Sequence, residues 1–301
     1  MSTSKKAKKV QRKPSLKNNT PKYQMGTNDY VYTFCKDFNK DSLYNLYKDF
    51  DSFESDQINN LYIILCSNGG LPDCAYEIAH YIRKYAHKVI GLFPTTTYSS
   101  SVLVGLSCDE LIFGTMGGWG PLDSQTPYYT ADLGFQYDST ENIDACYKAI
   151  IDYGVKAMDE SVRMIQKRTK LNPADSVKLS KYMVDAVVQP VLSKIDPITL
   201  GAYHRGSELA SMYGVRILKD IMKMNIKNAW DICYDLTKGW PTHDFHIKQN
   251  ELRSYGLPIK KPSPSILNAL DTLKFRLDEA EPFQGFIEGK SLASTMDKIA
   301  A

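Results

Sequence analysis

The stretch that decides the fold starts with LYIILCSNGG, residues 61–70, where five apolar residues run through Cys66-Ser67-Asn68 to a Gly-Gly pair. A second block, TTTYSSSVLVGL at residues 95–106, places small hydroxyl residues before an apolar helical run. Glycine tolerates positive φ and has no Cβ, so the first block can turn backbone N–H groups outward. Acyl transfer needs a hydroxyl nucleophile beside such converging donors. The two blocks therefore predict a serine facing an oxyanion hole.

Short strands and helices alternate around these blocks. The patterns predict a parallel α/β sheet, because apolar strands and helical segments follow one another with short Gly, Pro or Ser connections. We expect strands at residues 30–34, 61–65, 89–93 and 110–113, and helices at 41–53, 73–85, 100–107, 139–170 and 266–279. Active sites in such sheets lie beyond the carboxyl ends of the strands, where both blocks fall.

Further motifs extend the pattern in both directions. Pro94 precedes the hydroxyl block, and Asp109-Glu110-Leu111-Ile112 and Gly120-Pro121-Leu122-Asp123 follow it. A distant segment, TKGWPTHDFHI at residues 237–247, precedes ELRSYGL at residues 251–257. This order of motifs resembles the Clp protease/crotonase superfamily, in its serine dehydrogenase proteinase and signal peptide peptidase A branch. The resemblance implies a ClpP/crotonase-like spiral of β-β-α units with a helical projection and a C-terminal helix.

Charge and periodicity suggest three parts of the chain. Residues 1–25 are predicted to be a disordered basic tail, because the first 22 residues hold eight Lys or Arg and no acid. Residues 26–258 would form the main domain with a helical insertion at about 139–228, and residues 259–301 a linker and helical arm. The tail could contact nucleic acid or an acidic partner weakly, or serve only as a solubilising leader.

Other features bound the class of protein. No apolar run approaches the ~20 residues of a membrane span, and the six cysteines have no Cys-x-x-Cys spacing. We expect a cytoplasmic protein with reduced thiols, no cofactor and no metal, although His243 with His246 could in principle bind a metal ion.

The resemblance also assigns site residues. It implies Ser99 as the nucleophile and the amides of Gly70 and Ser100 as oxyanion donors, with Gly69 in the same turn. No histidine lies between His87 and His204, so the histidine that Clp proteases place there is missing. The candidates for the base are Lys148, His243 and His204, and Asp244 matches the third triad member. Ser99 could instead be a helix N-cap residue, Gly69-Gly70 a plain turn or a phosphate cradle, and the His243-Asp244 pair a hydrogen-bonded turn.

These residues favour a serine peptidase that acts on peptide or protein substrates as a homo-oligomer. Two alternatives stay open. The missing base, together with Val102 after the site, is compatible with a catalytically inactive scaffold that binds a partner. The same oxyanion hole could also act on an acyl-CoA thioester.

Overall fold

The computed structural model describes residues 25–123, 125–130, 134–193, 197–277 and 282–287. The predicted basic tail at 1–25 lies outside these residues except for Met25, and so does the arm beyond residue 287.

The first half of the chain alternates strands and helices. Its elements are β1 (Asp29–Cys35), α1 (Lys40–Phe50), β2 (Ile58–Leu65), α2 (Pro72–Tyr85), β3 (Ala86–Phe93), β4 (Thr96–Thr97), α3 (Ser101–Leu106), β5 (Glu110–Phe113), β6 (Gly118–Trp119), β7 (Gln125–Thr130) and β8 (Gly134–Ser139). The second half is mainly helical. It contains α4 (Thr140–Thr169), α5 (Pro173–Leu192), α6 (Pro197–Arg216), a π-helical turn (Ile217–Ile221), α7 (Ile226–Lys238), α8 (Gln249–Ser254), α9 (Pro264–Leu277) and β9 (Phe283–Ile287).

The main sheet has the strand order β5-β3-β2-β1-β9. Its first four strands are parallel, and β9 is antiparallel to β1 at one edge. In register, Tyr30 lies opposite Leu61, which lies opposite Val89. The carboxyl ends of β1, β2 and β3 therefore meet at one edge of the sheet, where the loops that follow them come together.

Both faces of the sheet are buried. Alternate residues of β2 divide between two apolar clusters, with Leu61, Ile63 and Leu65 in the larger cluster and Tyr62 and Ile64 in the smaller. This two-residue alternation is the strand repeat. The larger cluster also contains residues of α2 and α3, and the smaller is covered by α9 through Ile266, Ala269, Leu270 and Leu273. Strands covered on both sides read as continuous apolar runs, which is why the sequence predicts them well.

The helix α4, with 30 residues, is about 45 Å long at 1.5 Å per residue. It packs against α5 and α6. The paired helices α4 and α5 carry many large apolar side chains that stay exposed, among them Ile151, Tyr153, Tyr182, Met183 and Val187.

The structure is a mixed α/β protein with a sheet rich in parallel pairs, as the sequence predicts at this level. Five short strands of the described residues were missed, namely β4, β6, β7, β8 and β9. They have two to six residues and mixed polarity, so their sequences carry little strand signal. Among the described residues, no helix combines the length and the apolar character needed to cross a membrane.

Candidate active site

Gly69 and Ser99 lie in direct contact beyond the carboxyl ends of β2 and β3. A Cβ built on Gly69 would lie 2.6 Å from Ser99 Cβ and 3.1 Å from Ser99 Oγ. Gly69 also has φ +110°, a conformation that L side chains rarely adopt. Only glycine fits this position, and the two sequence blocks meet here.

Phe38 holds the Gly-Gly turn from its other side. The Phe38 N–H donates to the Gly69 carbonyl at 2.7 Å, and the Leu71 N–H donates to the Phe38 carbonyl at 2.7 Å. A Cβ on Gly70 would lie 2.3 Å from the Phe38 carbonyl oxygen, so Gly70 is also restricted to glycine. The segment after β1 thus fixes the path of the turn after β2.

Ser67 joins the Gly-Gly turn to the hydroxyl block. Its Oγ accepts a hydrogen bond from the Gly69 N–H at 3.0 Å. Its carbonyl accepts from the Tyr98 N–H at 3.0 Å and from Thr97 Oγ1 at 3.2 Å. One residue therefore bonds to both loops and holds them next to each other.

Ser99 has a strained backbone. Its φ is +53°, in the left-handed region that few residues other than glycine occupy. Its N–H donates to the Pro121 carbonyl at 3.1 Å, and its Oγ donates to the Asp123 carbonyl at 3.1 Å. Residues held in such conformations cluster at functional sites. Ser99 is only 6% exposed, with its side chain against Gly69.

Two backbone amides, in the residues that follow Gly69 and Ser99 in the chain, make no hydrogen bond within the described part of the chain. They belong to Gly70 and Ser100. The Ser100 Oγ donates to the Gly70 carbonyl at 3.0 Å, so the two residues are adjacent in space although 30 positions apart in the chain. Gly70 is exposed and Ser100 is buried. An oxyanion hole requires two N–H groups that are not already donating to other acceptors, and among the described residues these two meet that requirement.

Asp123 links the Ser99 hydroxyl to a histidine. Asp123 Oδ1 and His243 Nδ1 are 2.6 Å apart, with side-chain exposures of 2% and 11%. A carboxylate only accepts, so Nδ1 of a neutral imidazole carries the proton and Nε2 is left as an acceptor. Asp123 is held in place because the N–H of its neighbour Leu122 donates to the Leu236 carbonyl at 2.7 Å. The carbonyl of Asp123 thus contacts the serine, and its carboxylate contacts the histidine.

Tyr98 lies between the two histidines of the downstream motif. Its ring centroid is 6.3 Å from that of His243 at an interplanar angle of 26°. Its hydroxyl is 3.2 Å from His246 Nε2, and Thr96 Oγ1 is 2.8 Å from His246 Nδ1. Burial, and then the negative charge of Asp244, raise the pKa of Tyr98, so its phenol stays protonated and can donate to His246.

The predicted site residues divide into two groups. Ser99, Gly69, Gly70, Ser100 and His243 lie around Asp123 and the loops described above. In contrast, Lys148 is exposed on α4, His204 is exposed on α6, and Asp244 is exposed in the loop that carries His243.

Sequence reasoning did not assign a role to Asp123. The residue stands in the Gly120-Pro121-Leu122-Asp123 segment, but its partner His243 lies 120 positions away. Asp123 and His243 both lie in motifs that carry the family resemblance. Their shared membership of that resemblance was the available signal for pairing them. Within the described parts of the chain, no group of three or more His, Cys, Asp or Glu residues could hold a metal ion.

Comparisons with known proteins give few matches. No model of a known protein family matches the chain. An uncharacterized protein of Methanocaldococcus jannaschii is 23% identical over 202 residues, which are 67% of this chain and 52% of that protein. The chain thus spans about half the length of this curated relative. Among solved structures, a serine-to-alanine mutant of the 1510-N membrane-bound stomatin-specific protease is similar over 50% of this chain and 69% of its own, with 11% identity and a TM-score of 0.29.

Proposed function

We propose that this protein is a serine hydrolase of ClpP/crotonase-like fold that cleaves peptide bonds, with Ser99 as the nucleophile. The proposal rests chiefly on one observation, the contact of Gly69 with Ser99 Cβ and Oγ at a position where any larger residue would clash. That contact places a hydroxyl beside a turn whose next amide, that of Gly70, is uncommitted among the described residues.

His243 is the proposed general base, and Asp123 orients it. With Nδ1–H donated to Asp123, the His243 Nε2 can accept the Ser99 proton once the serine hydroxyl turns from the Asp123 carbonyl toward the ring. The carboxylate then stabilises the imidazolium that forms. Tyr98, stacked on His243, limits the positions that the ring can take. This assignment replaces Lys148 and His204 as candidates, because both are exposed on helices of the insertion.

The remaining steps follow the logic of acyl transfer. Ser99 Oγ attacks the scissile carbonyl carbon, and the developing oxyanion accepts hydrogen bonds from the Gly70 and Ser100 amides. Each such donor typically contributes about 3 kcal/mol at the transition state. Protonated His243 gives its proton to the leaving amine, and water then hydrolyses the acyl-enzyme with His243 again as base.

Hydrolysis of unfolded casein and of activated esters tests this proposal. We expect wild type to hydrolyse at least one of them and Ser99→Ala to lose that activity. Ser254→Ala is the matched control, because Ser254 is exposed at the end of α8. Equal hydrolysis by wild type and Ser99→Ala would contradict the proposal.

A second candidate function is a non-catalytic scaffold, and one observation favours it. Ser99 is 6% exposed and its hydroxyl donates to a backbone carbonyl, an arrangement that could serve packing alone. A scaffold would show no hydrolysis in either variant, and Ser99→Ala would then change only the stability of the fold.

We also propose the assembly of the protein into a homo-oligomer through α4 and α5. Exposed apolar residues such as Tyr153, Tyr182 and Val187 support this, because monomers rarely expose large contiguous apolar surfaces. Light scattering should give a mass above 34.0 kDa, and Val187→Asp should lower it. A wild-type mass of one chain would contradict the assembly. The division at residues 25 and 258 and a partner for the basic tail remain proposals from the sequence.

A further inference from the structure

Cys35 and Cys66 end two neighbouring parallel strands below the candidate active site. Cys35 is the last residue of β1, and Cys66 follows the last residue of β2. Phe34 pairs with Leu65, and the Cys66 N–H donates to the Phe34 carbonyl at 3.1 Å, so the two cysteines are next in the same register. Both side chains pack into the smaller apolar cluster beneath α9 and so lie on one face of the sheet.

The spacing of such a pair suits a disulfide. Neighbouring strands lie about 4.8 Å apart, and disulfides join residues whose Cα atoms are about 4.4 to 6.8 Å apart. Neither cysteine is part of a disulfide in the structure. A hydrogen bond to Cys66, and then burial, raise the pKa of Cys35 well above its usual value. Cys66 is the more accessible of the two, because it is half-buried while Cys35 is buried.

The two cysteines flank the segments that hold the Gly-Gly turn. Cys35 is three residues before Phe38, and Cys66 is three residues before Gly69. Phe38 in turn donates its N–H to the Gly69 carbonyl at 2.7 Å. A covalent link between the strand ends would therefore act at the base of this turn.

We propose that Cys35 and Cys66 form an oxidation site, at which a peroxide converts the two thiols into a disulfide that displaces the Gly69-Gly70 turn. The Cys66 thiolate attacks one oxygen of hydrogen peroxide, the O–O bond breaks, and Cys66 sulfenic acid and water form after proton uptake. The Cys35 sulfur then attacks the sulfenic sulfur, and the displaced hydroxide takes the Cys35 proton and leaves as water. Two thiols and one peroxide give one disulfide and two waters.

The disulfide should lower the hydrolase activity, a consequence that rests on the proposed function. Cβ atoms in a disulfide lie about 3.8 Å apart, while side chains on adjacent strands start about 4.8 Å apart. Closing the bond therefore brings the two Cβ atoms closer by up to roughly 1 Å, which shifts the strand ends that carry the turn. A displacement of that size in a catalytic group can reduce the rate about 100-fold.

Peptide mapping of the full chain after hydrogen peroxide treatment tests the site without any activity assay. Remaining thiols are blocked with N-ethylmaleimide in denaturant, and the chain is digested without reductant. We expect a linked pair of peptides that contains Cys35 and Cys66, and its separation by dithiothreitol. The pair should form unchanged in Cys146→Ser, which removes an exposed cysteine of α4. In Cys66→Ser, Cys35 should stay reduced and react with N-ethylmaleimide.

Two results would overturn the site. One is the recovery of both residues as N-ethylmaleimide adducts after peroxide treatment, and the other is the conversion of Cys66 to sulfinic acid with no linked peptide. The effect on activity is measured separately, with an expected decrease of about 100-fold that dithiothreitol reverses. A complete cross-link with unchanged hydrolysis would overturn the coupling to the Gly-Gly turn. A protein that never hydrolyses substrate would contradict only the proposed function, because the mapping result does not depend on it.

Discussion

Asp123 and His243 are joined by a 2.6 Å contact between Oδ1 and Nδ1, although 120 residues separate them in the chain. Asp123 is almost fully buried, and the carbonyl of the same residue accepts a hydrogen bond from Ser99 Oγ at 3.1 Å. One residue therefore contacts both the proposed nucleophile and the proposed base. A buried carboxylate beside an imidazole fixes the tautomer of the ring, which is the function we assign to it.

Asp123→Asn should reduce kcat by about 10³- to 10⁴-fold, because an amide that donates to Nδ1 forces the proton onto Nε2 and removes the base. The rival variant is Asp244→Asn, since the sequence resemblance assigned the acidic triad member to that exposed residue. Steady-state kinetics of the two variants decide between them. A loss confined to Asp244→Asn would show that the resemblance, and not the contact, identifies the acid.

Gly69→Ala should abolish hydrolysis and also lower stability, because the new Cβ would clash with the Ser99 side chain. Gly256→Ala is the matched control, as Gly256 also has positive φ, +74°, but nothing lies within 4 Å of its Cβ position. The control should lose only the roughly 1 kcal/mol of a left-handed alanine. Urea unfolding and hydrolysis assays measure both effects, and similar behaviour of the two variants would show that Gly69 matters for its backbone alone.

The free energy of unfolding should fall as the pH rises from about 9 to about 12. Burial raises the pKa of the Cys108 and Cys233 thiols from 9.0 to about 12. The two thiols therefore make their full contribution to the free energy of unfolding below pH 9, where they are protonated in the folded and in the unfolded chain. That contribution is lost toward pH 12, because the thiols of the unfolded chain release their protons first. Each thiol should contribute on the order of 1.4 kcal/mol per pH unit in this range.

Urea unfolding in reductant at pH 8 and pH 10 measures this slope. The double variant Cys108→Ala with Cys233→Ala should show a shallower decrease than wild type. Cys146→Ala removes an exposed thiol and should leave the slope as it is. An identical slope in wild type and the double variant would contradict the assignment to buried thiols.

Asp271→Ala should weaken the attachment of α9 to the sheet. Asp271 Oδ1 accepts the Thr115 N–H at 2.7 Å, and Oδ2 accepts Thr115 Oγ1 at 2.6 Å. Hydrogen bonds to charged groups are worth about 1.5 to 3 kcal/mol, and less where water screens them, so we expect a loss of about 1 kcal/mol. Asp231→Ala, on the exposed side of α7, is the control. Urea unfolding should separate the two, and equal losses would show that the Thr115 contacts contribute nothing.

The sequence predicted the central strands because each is buried on both faces. Ile63 and Ile64 lie in different apolar clusters, so the run around them is apolar without interruption. Gly69 and Ser99 were also predictable, since a close approach between two loops demands glycine on one side. β9 was not, because five residues with mixed polarity become a strand only through pairing with β1 across some 250 positions.

The proposed base could be predicted only in part. His243 was among the candidates, but nothing local distinguishes it from His204 or from Lys148. Its distinction is the contact with Asp123, and a pairing between residues so far apart depends on the whole fold. The strained backbone of Ser99 is likewise a tertiary effect, since its φ is held by the bond to Pro121 and the packing against Gly69.

The most direct test is the site of covalent labelling by a fluorophosphonate, which reacts with an activated serine hydroxyl. The full chain is labelled, digested and sequenced by tandem mass spectrometry. We expect a single adduct on Ser99, its absence in Ser99→Ala, and much slower labelling of His243→Ala. An adduct on Ser100 or Ser101, or no labelling of the wild-type chain at all, would contradict the assignment of Ser99 as the nucleophile.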